Sequence, residues 1–171
     1  MNGKILYGKM RLFSGILRSG SFLLFFVLAA FFAGSPALGA ELALPDLQAK
    51  AGQDIRVPLM IDQVDRLAGV KLILKYNEDL LTFKGSARTQ STDSMMHVVN
   101  DKTPGKLIIV MASARGIAGR DITLLTLFFS VKKGLTGNHE VSIETAEVQL
   151  MSDDLRDIPC KTKPGKITIL P

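Results

Sequence analysis

The chain has no tryptophan and a single cysteine, Cys160, among its 171 residues. One thiol excludes an internal disulfide, so the folded state must rest on its apolar core. Cys160 itself reads either as a small buried apolar residue or as a cross-link to a second chain. Histidine is scarce as well, with only His97 and His139 present. No stretch reads as G-x-S-x-G, H-E-x-x-H or a phosphate-binding loop. A lone imidazole without a matched nucleophile or ligand cluster specifies no chemistry, so no catalytic residue, no metal and no cofactor are assigned. Asp153, Asp154 and Asp157 crowd one acidic stretch. They lack the alternate-residue spacing and central Gly of an EF-hand, and read as a solvated turn.

Positive charge is also scarcer than the formal +5 suggests. Four of the 21 Lys and Arg lie in residues 1–40, which leaves 17 against all 16 Asp and Glu. The remainder is nearly neutral and gives no electrostatic warrant for nucleic acid as a partner. Aromatics thin out in the same way, because six of nine Phe and one of two Tyr fall in residues 1–40. Phe83, Phe128, Phe129 and Tyr76 remain. That is a poor supply for a polysaccharide platform, which works through flat aromatic faces. A protein partner therefore ranks ahead of carbohydrate.

What residues 1–40 do contain is a leader. Lys4, Lys9, Arg11 and Arg18 precede an uninterrupted apolar run over 22–33, broken by Gly34-Ser35-Pro36 and followed by Ala37, Gly39 and Ala40. A basic start, an apolar centre and a small-residue cut site make a secretory signal peptide. Cleavage after Gly39 or Ala40 is expected, leaving a domain over 41–171 in the periplasm or outside the cell. The run is shorter than the roughly 20 residues that cross a bilayer. Membrane contact arises only if the leader stays uncleaved as an anchor.

The rest reads as strands and turns. Val57, Leu59 and Ile61 alternate with Arg56, Pro58, Met60 and Asp62, and Pro58 among them predicts a sheet edge or a bulge. Val70, Leu72, Leu74 and Tyr76 point one way, Lys71, Ile73 and Lys75 the other. Leu80–Phe83 forms a short turn of structure and 86–95 a polar loop. Met96–Asn100 can form a strand. The run Leu107-Ile108-Ile109-Val110-Met111 predicts a strand covered on both faces. Gly116 and Gly119 bracket a loop, and further strands cover 122–131, the region of Val141 and Ile143, and 167–170. No helical period is sustained. Short strands at regular spacing with Gly and Pro turns predict an all-β, antiparallel sandwich, jelly-roll-like, of about nine strands, in one domain.

The stretch from Ala51, AGQDIRVPLMIDQVDRLAGVKLILKYNEDLLTFKG, resembles the opening half of a cohesin domain. It carries Gly52, the apolar–Pro step Val57-Pro58-Leu59, the small pair Ala68-Gly69, and the turn Tyr76-Asn77-Glu78 before Leu80-Leu81. GKLIIVMASARGIAG, LLTLFFSVK and PGKITIL resemble the later strands, in order. The resemblance implies a nine-stranded sandwich related to carbohydrate-binding modules. It also implies a non-catalytic recognition role, holding dockerin-bearing proteins outside the cell. Typical members present acidic residues to the dockerin at the positions that Lys71 and Ser113 occupy here. That inversion of charge predicts a different partner preference.

The candidate partner-binding face therefore combines Lys71, Ile73 and Lys75 with Ser113 and Arg115, an apolar centre with basic flanks suited to an acidic protein. The expected partner is a dockerin-like module or an envelope protein, in assembly of polysaccharide-degrading or envelope complexes. Direct carbohydrate binding, and a structural role in an envelope or secretion assembly, are the alternatives.

Overall fold

Two strands of unusual length organise the chain. In the computed structural model, which describes residues 39–171, β3 (Asp54–Lys75) runs for 22 residues and β6 (Lys106–Val131) for 26. The other strands are β1 (Ala40–Ala43), β2 (Leu47–Lys50), β4 (Leu81–Arg88), β5 (Met96–Asn100), β7 (His139–Ser152), β8 (Asp157–Ile158), β9 (Cys160–Lys163) and β10 (Gly165–Leu170). The signal peptide read over 1–40 lies outside the described residues except for Gly39 and Ala40.

β3 and β6 pair antiparallel along nearly their whole length, with register shifts between Val64 and Leu67 and between Leu67 and Gly69. Each long strand thereby serves two neighbourhoods. The first half of β3 and the second half of β6 are flanked by β1 and β4. The second half of β3 and the first half of β6 are flanked by β7 and β5. β10 joins the start of β7, and β2 joins β10. The sheet curls until the inward residues of both halves meet in one core. Val57, Leu59 and Ile61 from one half and Val70, Leu72 and Leu74 from the other are all buried there. This is the β-sandwich that the alternating pattern predicts, closed on itself in one compact unit over 39–171.

Local departures have physical reasons. Pro58 has no N–H to give, and β1 pairs only with Ile61 and Met60, ending before Pro58 reaches it. A register shift lies just beyond, between Leu59 and Met60, so Pro58 stands on a locally unpaired side of β3 next to a bulge, in keeping with both readings. The expected Gly116–Gly119 loop is instead a continuation of β6. A Cβ on Gly116 would lie 2.4 Å from the backbone of Arg66, so only glycine lets the two strands pass at the bend. Ser86–Arg88, expected as loop, extends β4, and the polar linker shrinks to a short 3-10 turn at Gln90–Thr92. Buried Thr92 anchors that turn by donating its hydroxyl to the Leu124 carbonyl at 2.9 Å. The marginal pairs β1–β9 and β2–β10 run parallel within an otherwise antiparallel sheet.

Of the two adjacent phenylalanines, Phe129 is fully buried, and Phe128 takes the outward register beneath the Arg56 guanidinium, 5.9 Å from the ring centre. Tyr76 does face inward, edge-on to Phe129 at 5.1 Å.

Candidate functional site

The outer face of the four-strand layer β5–β6–β3–β7 is built in rows, because paired residues on neighbouring strands project to the same side. The first row is Met96, Ala112, Gly69 and Met151. Val98, Val110, Lys71 and Gln149 form the second, and Asn100, Ile108, Ile73 and Glu147 the third. Lys106, Lys75 and Glu144 close the face at its far end.

The face is therefore graded. Among the described residues four large apolar side chains are exposed, and three of them lie in its first two rows: Met96 at 73%, Val98 at 63% and Val110 at 45%. Two small residues, Gly69 and Ala112, lie side by side and leave a shallow trough of about 240 Å³. Val110, Met151, Gln149 and the stem of Lys71 line it. A Cβ on Gly69 would lie 3.2 Å from the Met151 Cβ, so a side chain here would crowd Met151 and narrow the trough. An exposed apolar strip rimmed by polar groups is the usual mark of an interaction surface.

Lys71, Ile73 and Lys75 are thus brought together on one face. Lys71 is held by Glu147 of β7 at 2.5 Å, with both side chains about half exposed. It therefore presents a neutral pair to a partner. Among the described residues no acid lies within ion-pair distance of Lys75 or Lys106. The basic character of the face sits at that polar end. Ser113 and Arg115 fall elsewhere, in the irregular stretch between Ala112 and Ile117 where the β3–β6 register shifts. Ser113 is half-buried, and its hydroxyl accepts the Arg115 N–H at 3.3 Å. Arg115 is exposed just past the apolar row.

Met96, Val98, Val110, Ala112 and Met151 were not part of the sequence-based face. The run Leu107–Met111 is covered on one side only: Leu107, Ile109 and Met111 are buried while Val110 is open. The alternation in Met96-His97-Val98-Val99 was the available signal.

The same end of the sheet is latched by ions. Arg66 sits in the left-handed region at φ 59, a costly conformation for a residue that carries a Cβ. Its guanidinium meets Asp153 at 2.6 Å and Asp154 at 3.5 Å, while its carbonyl accepts the Asp153 N–H at 3.0 Å. The Ser152 hydroxyl donates to Asp154, and Arg156 approaches it at 3.1 Å. The acidic turn thus works as a counter-charge for arginines, and among the described residues no group of three His, Cys, Asp or Glu could hold a metal ion. The Ser152 hydrogen bond first, then Arg156 and Arg66, hold the Asp154 carboxyl below its ordinary value. A depressed carboxyl stabilises the fold above its unfolded value and ceases to as pH falls through the folded one, below about pH 4. Asp154→Asn is therefore expected to lower the urea midpoint more at pH 7 than at pH 3. An equal deficit at both would contradict this assignment.

The remaining reactive groups support no chemistry. Burial pushes the half-buried Cys160 thiol up, keeping it protonated at neutral pH. His139 contacts the Thr136 carbonyl through its ring at 3.1 Å, and His97 lies half-buried on β5.

The curled β-sandwich thus leaves one open, graded sheet face of the kind that recognition modules present. The chain belongs to the cohesin domain family, whose model matches residues 40–169. Cohesin domains are non-catalytic protein-binding modules. Solved structures agree on the fold. A cohesin of Clostridium acetobutylicum matches at TM-score 0.65 and 22% identity, over 77% of this chain and 90% of that one. A non-cellulosomal cohesin of the archaeon Archaeoglobus fulgidus matches at 0.65 and 19%, over 78% and 92%. A type I cohesin–dockerin complex of Clostridium thermocellum matches at 0.66 and 18%, over 76% and 92%. No curated protein matches the chain in sequence.

Proposed function

We propose that this chain is an exported cohesin-type module that holds one protein partner on the outer face of β5–β6–β3–β7. The partner is a dockerin-like module or another extracytoplasmic protein, gathered into a polysaccharide-degrading or envelope complex. The observation that carries this is the strip Met96–Val98–Val110 beside the Gly69–Ala112 trough. It gathers three of the four large apolar side chains left exposed among the described residues. A protein partner is favoured over sugar because Phe128, the outward phenylalanine, already has Arg56 over its ring.

The leader supports export. Ala37 and Gly39 stand at the two small positions of a cut site after Gly39. Cleavage there keeps Ala40, which is buried and donates its N–H to the Pro159 carbonyl at 2.9 Å.

The test is capture by residues 40–171 from culture supernatant and envelope extract, followed by calorimetry with each purified protein recovered and with a panel of dockerin modules. One partner bound at one-to-one stoichiometry is the expected result. Retention on insoluble polysaccharide, with no protein partner, would replace this reading with the carbohydrate one.

A further inference from the structure

The outer edge of β5 is the second place where the sheet is left open. β5 pairs with β6 through five consecutive residues, Met96↔Ala112 to Asn100↔Ile108, without a register shift. Among the described residues no strand pairs with its other side. Such an edge offers a row of free backbone N–H and C=O groups, and proteins usually blunt it with lysine, proline or a bulge. Other marginal strands here are blunted in that way. β9 carries Lys161 and Lys163, β2 ends in Lys50, and β4 has Lys84, Arg88 and a shift between Phe83 and Gly85. The sequence of β5, MHVVN, has no Lys, no Arg, no acid, no proline and no bulge.

We infer that β5 is a self-association edge, pairing antiparallel with β5 of a second copy about a two-fold axis near Val98. The strand is self-complementary in that arrangement. Val98 faces its own copy, Met96 faces Asn100, and His97 faces Val99, so no like-charged acid or lysine pair is forced together. The nearest paired charge on the face, Lys71–Glu147, begins two strands inward. At about 4.8 Å per strand its image in the copy lies some 24 Å away, beyond the screening length of ~8 Å in physiological salt. Met96 and Val98 of both copies then form one apolar band in the middle of a doubled sheet, and the partner face of each copy stays open.

Five paired residues bury less than the ~800 Å² per partner of a standard interface. The dimer is accordingly weak, with dissociation in the range of roughly 10–500 µM. Sedimentation equilibrium of residues 39–171 from ~10 µM to ~1 mM is the test. The average mass is expected to rise towards twice the monomer, and Val98→Lys to remain monomeric throughout. Val110→Lys, one strand inward, is expected to dimerise as wild type does. Monomer at every concentration overturns the inference. So does a dimer that survives Val98→Lys, or one lost only in Val110→Lys, which would mean that the faces stack instead. Partner capture by a strictly monomeric protein would sink this inference alone and leave the proposed function standing.

Discussion

Phe129→Ala is expected to destabilise the domain by about 3–5 kcal/mol, the range for removing a fully buried phenylalanine. The ring is fully buried, edge-on to Tyr76 at 5.1 Å and to Phe83 at 5.4 Å. On the sheet it stands between Ile55 of β3 and Phe83 of β4, so its loss opens a void where two strand pairings and both aromatic contacts meet. Neither a disulfide nor, among the described residues, a metal cluster offsets that loss. For a domain of this size the fall in Tm is roughly 10–20 °C. Urea denaturation reads the first quantity and thermal melting the second, both followed by far-ultraviolet circular dichroism. Phe83→Ala serves as the internal comparison, because Phe83 is only partly buried and should cost clearly less. Equal losses would mean that the core is centred elsewhere.

The sandwich was legible because alternation is local. In β3 the period of two sets Val57, Leu59 and Ile61, then Val70, Leu72 and Leu74, towards the core, and a neighbour is not needed to see it. The outward placing of Lys71, Ile73 and Lys75 follows from the same register. What could not be read locally is what lies beside a residue. Glu147, which neutralises Lys71, is 76 positions away in sequence and reaches it only through the β3–β7 pairing. The openness of Val110 has the same origin. Ile108 and Val110 are as apolar as Ile109, and only the curl of the sheet decides which side is covered. Arg66 and Gly116 show the limit at the backbone. A left-handed arginine and a strand crossing too tight for any side chain are set by the bend shared between β3 and β6. That bend also joined pairs of expected strands into two long ones and left Ser113 and Arg115 in the irregular stretch past the apolar row.

Val110→Lys is expected to weaken partner binding about 100-fold while shifting the urea midpoint very little. The free protein tolerates the change, because Val110 is 45% exposed and a lysine there reaches solvent. In the complex the ammonium is trapped beside the trough with Met151 and Ala112, and an unpaired buried charge costs several kcal/mol. About 2.8 kcal/mol corresponds to 100-fold. Lys71→Glu makes the decisive contrast. It ends the pairing with Glu147 and sets two carboxylates side by side on an exposed face, where such interactions are worth about 1 kcal/mol or less. If the apolar strip carries recognition, Lys71→Glu weakens binding less than tenfold and its effect fades at 0.5 M salt, while the Val110→Lys loss persists. If basic charge carries it, the two variants lose comparable affinity, wild-type binding itself falls steeply with salt, and Lys75→Glu adds to the loss. Calorimetry of the three variants at low and high salt separates the two. The first pattern is the expected one, because the open apolar side chains lie over the first two rows and the unpaired lysines stand at the far end.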